Sequence, residues 1–419
     1  MKKTIKQWLV SILSNQVKRL RAQHSFRIVA VVGSIGKTST KMAIAEMLET
    51  RLKVRYQNGN YNDSLSVPLI FFGHTMPALW NFAAWLYIIV SNEIQIRRRY
   101  PYEAVIVELG TDGPGQISEF ASYLKVDVGV ITAVAPEHME FFADLDAVAT
   151  EEWVIAGFSK VVLANKDLMP TEHQYSHNSI IWYGFESATN YTLSIISQSP
   201  KGFTFEIKHN GSAFVRTTYP AFSKFQLYSI AAAAVIAAAF GFSEKDIRLS
   251  TGAITPVSGR MQRLRGLNSS TIIDDTYNAS PAAVEEALLS LYDIPAPQHI
   301  ALLGMMNELG EISEAEHRAI GKLCDPSKLD LVVTLGKHAN LFIAPEARAR
   351  GCTVVEYSDA REAGLHIANV IKEGAVILAK GSQNGVYAEE AVKQLLEDPH
   401  DARKLVRQSK AWLKKKGVK

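Results

Sequence analysis

A β-branched run, Arg27–Val32, ends in Gly33-Ser34-Ile35-Gly36-Lys37-Thr38 and passes directly into the helical pattern Lys37–Leu52. Few local sequences restrict a fold as tightly. A strand must stop at a glycine turn and hand over to a helix whose N-terminus faces that turn, so that several backbone N–H groups converge on one spot suited to an anion. Lys37 can reach the β- and γ-phosphates of a nucleotide there, and the Thr38 hydroxyl can ligate Mg²⁺. Gly33, Ser34, Gly36, Lys37, Thr38 and Ser39 are the candidate phosphate cradle. The general pattern asks for another glycine five residues before Gly36, and Val31 occupies that place.

The rest of the chain extends the strand–helix alternation. Strands are predicted at Ala104–Leu109, Val128–Val134 and Val161–Ala164 with helical patterns between them, the signature of a mostly parallel sheet. Residues 179–218 change character: short alternating runs at Phe203–Ile207 and Ala213–Thr217 flank Asn210-Gly211, which predicts a small antiparallel layer. An Ala-rich helix, Leu227–Phe240, restores the α/β pattern. After Gly259-Arg260 a second α/β series begins, with strands at Thr271–Asp274, His299–Leu303, Leu331–Leu335, Thr353–Glu356 and Ala375–Leu378. The expected organisation is an N-terminal helix at 1–25, a central α/β domain at 26–258, a C-terminal Rossmann-like α/β domain at 259–400 and a tail at 401–419.

Composition narrows the class. With 47% hydrophobic and 21% charged residues, the 419-residue chain is an ordinary globular protein of two or three domains. Its two cysteines, Cys324 and Cys352, make no disulfide framework and fit no metal-ligand spacing, which points to a reducing, cytoplasmic compartment. Residues 1–27 hold seven Lys/Arg and residues 402–419 eight, with no acid in either. Removing those fifteen charges from the net +3 leaves −12 on the body. Basic ends on an acidic body predict contact with an anionic surface, a membrane face rather than nucleic acid. In the first helix Ile5, Trp8, Leu9, Ile12, Leu13, Val17 and Leu20 form one apolar stripe, either packed on the first domain or laid on a membrane. Polar Ser14, Asn15 and Gln16 interrupt it, unlike a signal peptide. The stretch Ala78–Val90 is too short to span a bilayer and reads as a buried helix or a hydrophobic docking face.

Several segments together resemble the Mur ligase family. The shortened phosphate loop is similar to theirs. Tyr61-Asn62-Asp63 through Val67-Pro68 resembles their Asn-rich stretch, Val107-Glu108-Leu109-Gly110-Thr111 their Glu-Leu-Gly motif, and Thr132–Phe141 with His138 and Glu140 their His-x-Glu loop. Gly259-Arg260-Met261-Gln262 is similar to the start of their third domain. Asp274-Asp275-Thr276-Tyr277-Asn278-Ala279-Ser280-Pro281, Leu303-Gly304 through Glu311, and Lys380-Gly381-Ser382 resemble the MurF branch. The resemblance implies an ATP- and Mg²⁺-dependent ligase that joins D-Ala-D-Ala or an amino acid to a peptidoglycan-precursor peptide, through an acyl phosphate. Other acceptors of the same chemistry are a poly-amino-acid or a folate-like molecule, and a regulatory ATPase on the same scaffold is the reading from another class. The resemblance implies Thr38 and Glu108 as ligands of one Mg²⁺ and His138 as a ligand of a second. Arg260, Asp274, Asp275, Tyr277 and Asn278 would contact ATP, the aspartates through ribose hydroxyls, and Lys380 would meet the anionic substrate. His317 and Lys337 read as surface helix and loop.

Three departures qualify that resemblance. Where these ligases usually carry a carbamoylated lysine, this chain reads Ala149-Thr150-Glu151-Glu152-Trp153. Glu152 is expected to supply the carboxylate directly near the second Mg²⁺, the alternative being a solvated Glu151–Glu152 pair. Phe225-Gln226 replaces the usual His-Asn, leaving Gln226 to offer an amide to adenine or phosphate. The chain also starts almost directly at the phosphate-loop domain, without the N-terminal domain that grips the UDP-sugar in MurF relatives. A lipid-linked acceptor at the inner face of the membrane is then as open as a nucleotide-linked one.

Overall fold

The computed structural model describes all residues except 1, 60, 176–178, 187, 200, 201, 418 and 419. Lys419 of the basic tail and the side chain of Lys2 lie outside the described residues. The chain forms two compact units, residues 1–135 with 141–255, and residues 136–140 with 256–419.

The first unit runs α1 (Lys2–Gln23), β1 (Arg27–Val32), α2 (Lys37–Glu49), β2 (Val54–Arg55), α3 (Val67–Phe72), α4 (Phe82–Arg97) and β3 (Ala104–Glu108). It continues through α5 (Gln116–Ala121), β4 (Val126–Ile131), α6 (Leu145–Trp153), β5 (Ser159–Asn165), β6 (Ile180–Gly184) and β7 (Tyr191–Ser199). β8 (Gly202–His209), β9 (Ser212–Tyr219), α7 (Lys224–Ala239) and α8 (Glu244–Thr251) complete it. Nine strands form one sheet in the order β2-β3-β1-β4-β5-β6-β7-β8-β9. Pairing is parallel from β2 to β7 and antiparallel through β7, β8 and β9. Five of the six residues of β1 and all of β3 are buried, because helices cover both faces of a parallel sheet and leave no solvent side to alternate with. The β8–β9 hairpin turns at Asn210 (φ 48°) and Gly211 (φ 83°), the paired positive φ values that Asn-Gly favours.

Helix α7 lies against α2. Its buried alanines 231–234 allow close approach, and Thr40 Oγ1 meets Ser229 Oγ across the contact at 3.0 Å. Helix α1 turns Leu9, Leu13, Val17 and Leu20 inward and leaves Trp8 59% exposed. Its stripe therefore packs on the first unit, the first of the two expected arrangements. Three of its basic residues are engaged within the protein. Lys6 pairs with Asp63 at 3.2 Å, Arg19 with Glu93 at 2.7 Å and Arg21 with Asp127 at 3.0 Å. Arg27 stacks over Phe240, its guanidinium carbon 3.5 Å from the ring centroid. Among the described residues no helix is long and apolar enough to cross a membrane.

The second unit holds β10 (Gln262–Arg265), β11 (Thr271–Asp275), β12 (His299–Gly304), β13 (Leu331–Leu335), β14 (Val354–Tyr357) and β15 (Val376–Lys380). They are ordered β10-β11-β15-β12-β13-β14, and only the edge pair β10–β11 is antiparallel. Cys324 and Cys352 are free and buried here, and burial pushes the Cys324 thiol up to about 12.

The C-terminal segment is tied into this unit through two of its basic residues. Arg407 makes a two-pronged contact with Glu389, at 2.8 and 2.7 Å, and donates to the carbonyls of Tyr277, at 2.9 Å, and Thr276. Lys416 reaches Glu389 at 3.2 Å and also pairs with Glu390. The Glu389 side chain is wholly enclosed. Removing one partner of a buried pair leaves the other charge uncompensated, which outweighs the modest net value of the pair itself. Arg407→Met is therefore expected to destabilise the second unit by roughly 3 kcal/mol. Urea unfolding would reveal this as a lowered midpoint, and an unchanged midpoint would remove the network from the account of how this segment is held.

Candidate active site

Strand register builds the phosphate loop. Val31 of β1 is paired with Glu108 of β3, and Val32 with Ile131 of β4, so the loop leaves β1 between Glu108 and Thr132. Ser34 N–H donates to Ala133 O at 3.0 Å, and Ser34 Oγ accepts from Ala135 N–H at 3.1 Å. Thr132 Oγ1 donates to Ile35 O at 2.6 Å. Gly33 has φ 124°, and a Cβ there would stand 2.3 Å from Thr132 Oγ1, so this corner admits only glycine. Lys37 folds back on the loop, donating to Gly33 O and, at 3.5 Å, Ser34 O. Ser39 follows, half-buried, in the first turn of α2.

Glu108 is buried at 3% exposure and is held from two sides by α2. Thr38 Oγ1 donates to its Oε1 at 3.3 Å, and Lys41 Nζ lies 3.2 Å from its Oε2. Thr38 and Lys41 are three residues apart and so share one face of α2. The Lys41 side chain is 1% exposed. In the sequence Lys41 is marked by nothing beyond that i, i+3 spacing from Thr38. The neighbouring loop is equally tight, for Gly110 N–H donates to Asn62 O at 2.8 Å and a Cβ on Gly110 would strike the Asn62 side chain.

Glu152 and Glu151 are both enclosed, at 2% and 4% exposure, so the solvated pair is excluded. Glu152 Oε2 accepts from Gly33 N–H at 2.7 Å, which places this carboxylate beneath the phosphate loop. Glu151 accepts from Gly115 N–H and Ile117 N–H, both at 2.6 Å, satisfying donors at the start of α5. Gln226 is occupied differently from the expectation: its Oε1 accepts from Phe222 N–H at 2.8 Å and closes a capping box with Ser223. The local cause is Ser223 at the N-cap with Gln226 three residues on.

In the second unit the ends of β11 and β15 bring together the residues near Gly259. Lys380 is buried and bonds Asp275 Oδ2 at 2.5 Å and Asn278 O at 3.1 Å. Met261 N–H donates to Asp275 Oδ1 at 3.1 Å. Lys380 is thus paired with Asp275, whose two carboxylate oxygens accept from Lys380 and from Met261 N–H. Asp274 is fully enclosed as well, accepting from Thr276 Oγ1 at 2.6 Å and Thr276 N–H at 3.2 Å. Arg260 stacks over Tyr277 at 4.1 Å, with its buried Nε unpartnered. Asn278 is half-buried beside them.

His138, at φ 53°, lies in the short segment that packs with the second unit. Its Nδ1 is 2.8 Å from Glu308 Oε2, a bond that lowers the Glu308 pKa and fixes the ring's orientation. His317 is not on a surface. It is fully buried, accepting Met306 N–H on Nε2 at 2.9 Å and donating from Nδ1 to Ser313 O at 2.6 Å, and burial lowers its pKa. It therefore braces the loop that carries Glu308, whereas Lys337 is exposed after β13. Among the described residues no three His, Cys, Asp or Glu side chains gather as a preformed metal nest.

These two units match known domains. Residues 87–237 match the Mur ligase middle domain and residues 259–383 the Mur ligase glutamate ligase domain. The chain belongs to the Mur ligase family, the ATP-dependent peptide ligases. Within it the chain is similar to UDP-N-acetylmuramoyl-tripeptide–D-alanyl-D-alanine ligase of Bacillus subtilis, 27% identical over 379 residues that cover 89% of this chain and 76% of the relative. The fold is that of MurF from Acinetobacter baumannii, with TM-score 0.76, 21% identity and coverage of 94% and 81%. MurF ligase from Thermotoga maritima in complex with ADP superposes with TM-score 0.70 at 21% identity, over 92% of this chain and 83% of that one.

Burial pushes the Asp274 carboxyl from 3.8 up to about 6, against the pull of the Thr276 hydrogen bonds. The folded state thus binds the proton more tightly than the unfolded state does. Asp274's contribution to stability is full below its unfolded value and is lost as pH rises through the folded one. At neutral pH its charge costs the fold on the order of 3 kcal/mol. Asp274→Asn keeps an acceptor for Thr276 and removes the charge. Its melting temperature should exceed wild type at neutral pH and approach it below pH 4; coincident melting curves at neutral pH would refute this.

Proposed function

We propose that this chain is a MurF-like ligase that adds D-Ala-D-Ala, or an amino acid, to a peptidoglycan-precursor peptide carried on a nucleotide or a lipid. The observation that supports it best is the meeting of Thr38 and Glu108 at the N-terminus of α2, directly after the Gly33–Lys37 loop. Two oxygen donors from the protein suit Mg²⁺, which takes its remaining ligands from phosphates and water. Mg²⁺ held by Thr38 and Glu108 would supply positive charge beside the phosphates. Lys41 keeps Glu108 in place between the strand and the helix.

In this reading the acceptor's carboxylate oxygen attacks the γ-phosphorus of ATP, the bond to the β-phosphate oxygen breaks, and ADP leaves. The amine of the incoming residue then attacks the acyl carbon, releasing phosphate and a proton as the amide forms. Lys37 and the loop N–H groups bind and orient the phosphates and offset the charge gathered there. The Arg260 guanidinium, braced on Tyr277, is available to a nucleotide, while the Lys380–Asp275 pair positions Asn278. His138, oriented by Glu308, is the nitrogen ligand for a second Mg²⁺. The same reading takes residues 26–258 as the ATP-binding central domain and 259–400 as the C-terminal ligase domain.

Glu152 takes the part of the modified lysine in this proposal, supplying a fixed negative charge beneath Gly33. Glu152→Gln retains an oxygen to accept the Gly33 N–H and loses only the charge. It should fold normally and lose at least ~100-fold in turnover, the scale of removing one electrostatic partner from a closed site. Full activity in that variant would sink the assignment. Phosphate release from ATP should require both a peptide carboxylate acceptor, tested as UDP-MurNAc-tripeptide, and D-Ala-D-Ala or an amino acid. Release independent of any amine would favour a regulatory ATPase instead.

A further inference from the structure

Helix α4 carries its apolar residues on the wrong side for a soluble protein. Trp85, Ile88, Asn92 and Ile96 face inward, where Trp85 and Ile88 pack with Leu9 and Leu13 of α1. The outer face is also apolar. Phe82, Leu86, Val90 and Ile94, each four residues after the last, are 65%, 63%, 49% and 45% exposed, with Tyr87 at 69% beside them and Trp80 at 74% just before the helix. Single exposed hydrophobes are ordinary; an unbroken stripe of them marks a surface that something covers.

The charges around the stripe indicate what. From His74 to Tyr102 the only acid is Glu93, and it is bound by Arg19 at 2.7 Å, with Arg97 at 3.7 Å. The helix ends in Arg97-Arg98-Arg99, all exposed, and Lys3 and Lys18 of α1 are exposed too. An apolar stripe with tryptophan and tyrosine at its margin and arginines at its end has the chemistry of a bilayer interface: acyl chains below, anionic headgroups alongside. Helix α4 is not a floating tail. Asn92 and Glu93 are tied to Gln16 at 2.8 and 3.0 Å, and Arg19 completes the clasp, so the stripe is presented as a fixed plane. Its 16 residues are too few to span the hydrocarbon core and fit a helix lying in the plane of the surface.

We infer that the outer face of α4, with Trp80 and Arg97–Arg99, docks this protein on an anionic lipid bilayer. Of the basic ends that composition singled out, Lys6, Arg19, Arg21, Arg407 and Lys416 are paired within the protein. The inference stands on the first unit alone and does not depend on the ligase assignment. A ligase held this way would meet a lipid-linked acceptor on its own surface.

The test is co-sedimentation of the full chain with phosphatidylcholine vesicles, with and without phosphatidylglycerol. Wild type should bind the anionic vesicles at least ~10-fold more tightly than the neutral ones, with raised salt weakening the binding. Leu86→Ser/Val90→Ser and Arg97→Gln/Arg98→Gln/Arg99→Gln should each lose at least ~10-fold while melting like wild type, because these side chains are exposed. As a check independent of those variants, brominated lipid should quench tryptophan fluorescence in wild type, and the quenching should fall in Trp80→Phe. Wild type remaining in the supernatant with anionic vesicles would overturn the inference, as would unchanged binding by both multiple variants. A dimer in the absence of lipid that Leu86→Ser/Val90→Ser dissociates would also overturn it, assigning the face to a second copy.

Discussion

A single buried carboxylate organises the first unit. Glu108 ends β3, and the parallel register sets it beside Val31, one residue short of the turn into the phosphate loop. A carboxylate at 3% exposure is tolerable only with partners, and α2 supplies both: the Thr38 hydroxyl and the Lys41 ammonium. The same bonds therefore fix the depth and rotation of the helix whose N-terminus faces the phosphates. Fold and chemistry meet at this contact, because Thr38 and Glu108 are also the oxygen pair suited to a hard cation.

Around that centre, the protein uses buried charge repeatedly to hold loops. Glu152 anchors Gly33 and Glu151 anchors the start of α5, although they are consecutive in sequence. Asp275 and Lys380 tie two strand ends of the second sheet to the loop at Asn278. Arg407 and Lys416 converge on Glu389 and fasten the C-terminal segment to the backbone at Thr276 and Tyr277. Disrupting any of these buried pairs is costly, since a half-dismantled pair leaves one charge with neither water nor partner.

The division between engaged and presented charge also separates two surfaces. Among the basic residues at the chain ends, Arg19, Arg21, Arg407 and Lys416 close internal pairs. The arginine run at the end of α4 faces outward, next to an apolar stripe whose inner counterpart builds the α1–α4 core. One helix thereby contributes to a core on one side and offers an interface on the other.

The sequence by itself determined the elements and the chemistry that depends on neighbours in the chain. The strand–glycine–helix unit at 27–49, the Asn210-Gly211 hairpin and the second α/β series were legible, because periodicity, turn residues and loop spacing are local properties. Resemblance added Glu108, His138 and the Asp274–Pro281 motif as residues of interest. Tertiary structure decided which of them face solvent and which face one another. Lys380 meets Asp275, Gln226 caps its own helix, His317 braces a loop, and Lys41 joins Glu108, since strand register and helix rotation set side-chain partners that no spacing encodes. Burial has the same origin. Glu151–Glu152 and the apolar run of α4 have ordinary sequences, and only packing put the acids inside and left the hydrophobes out.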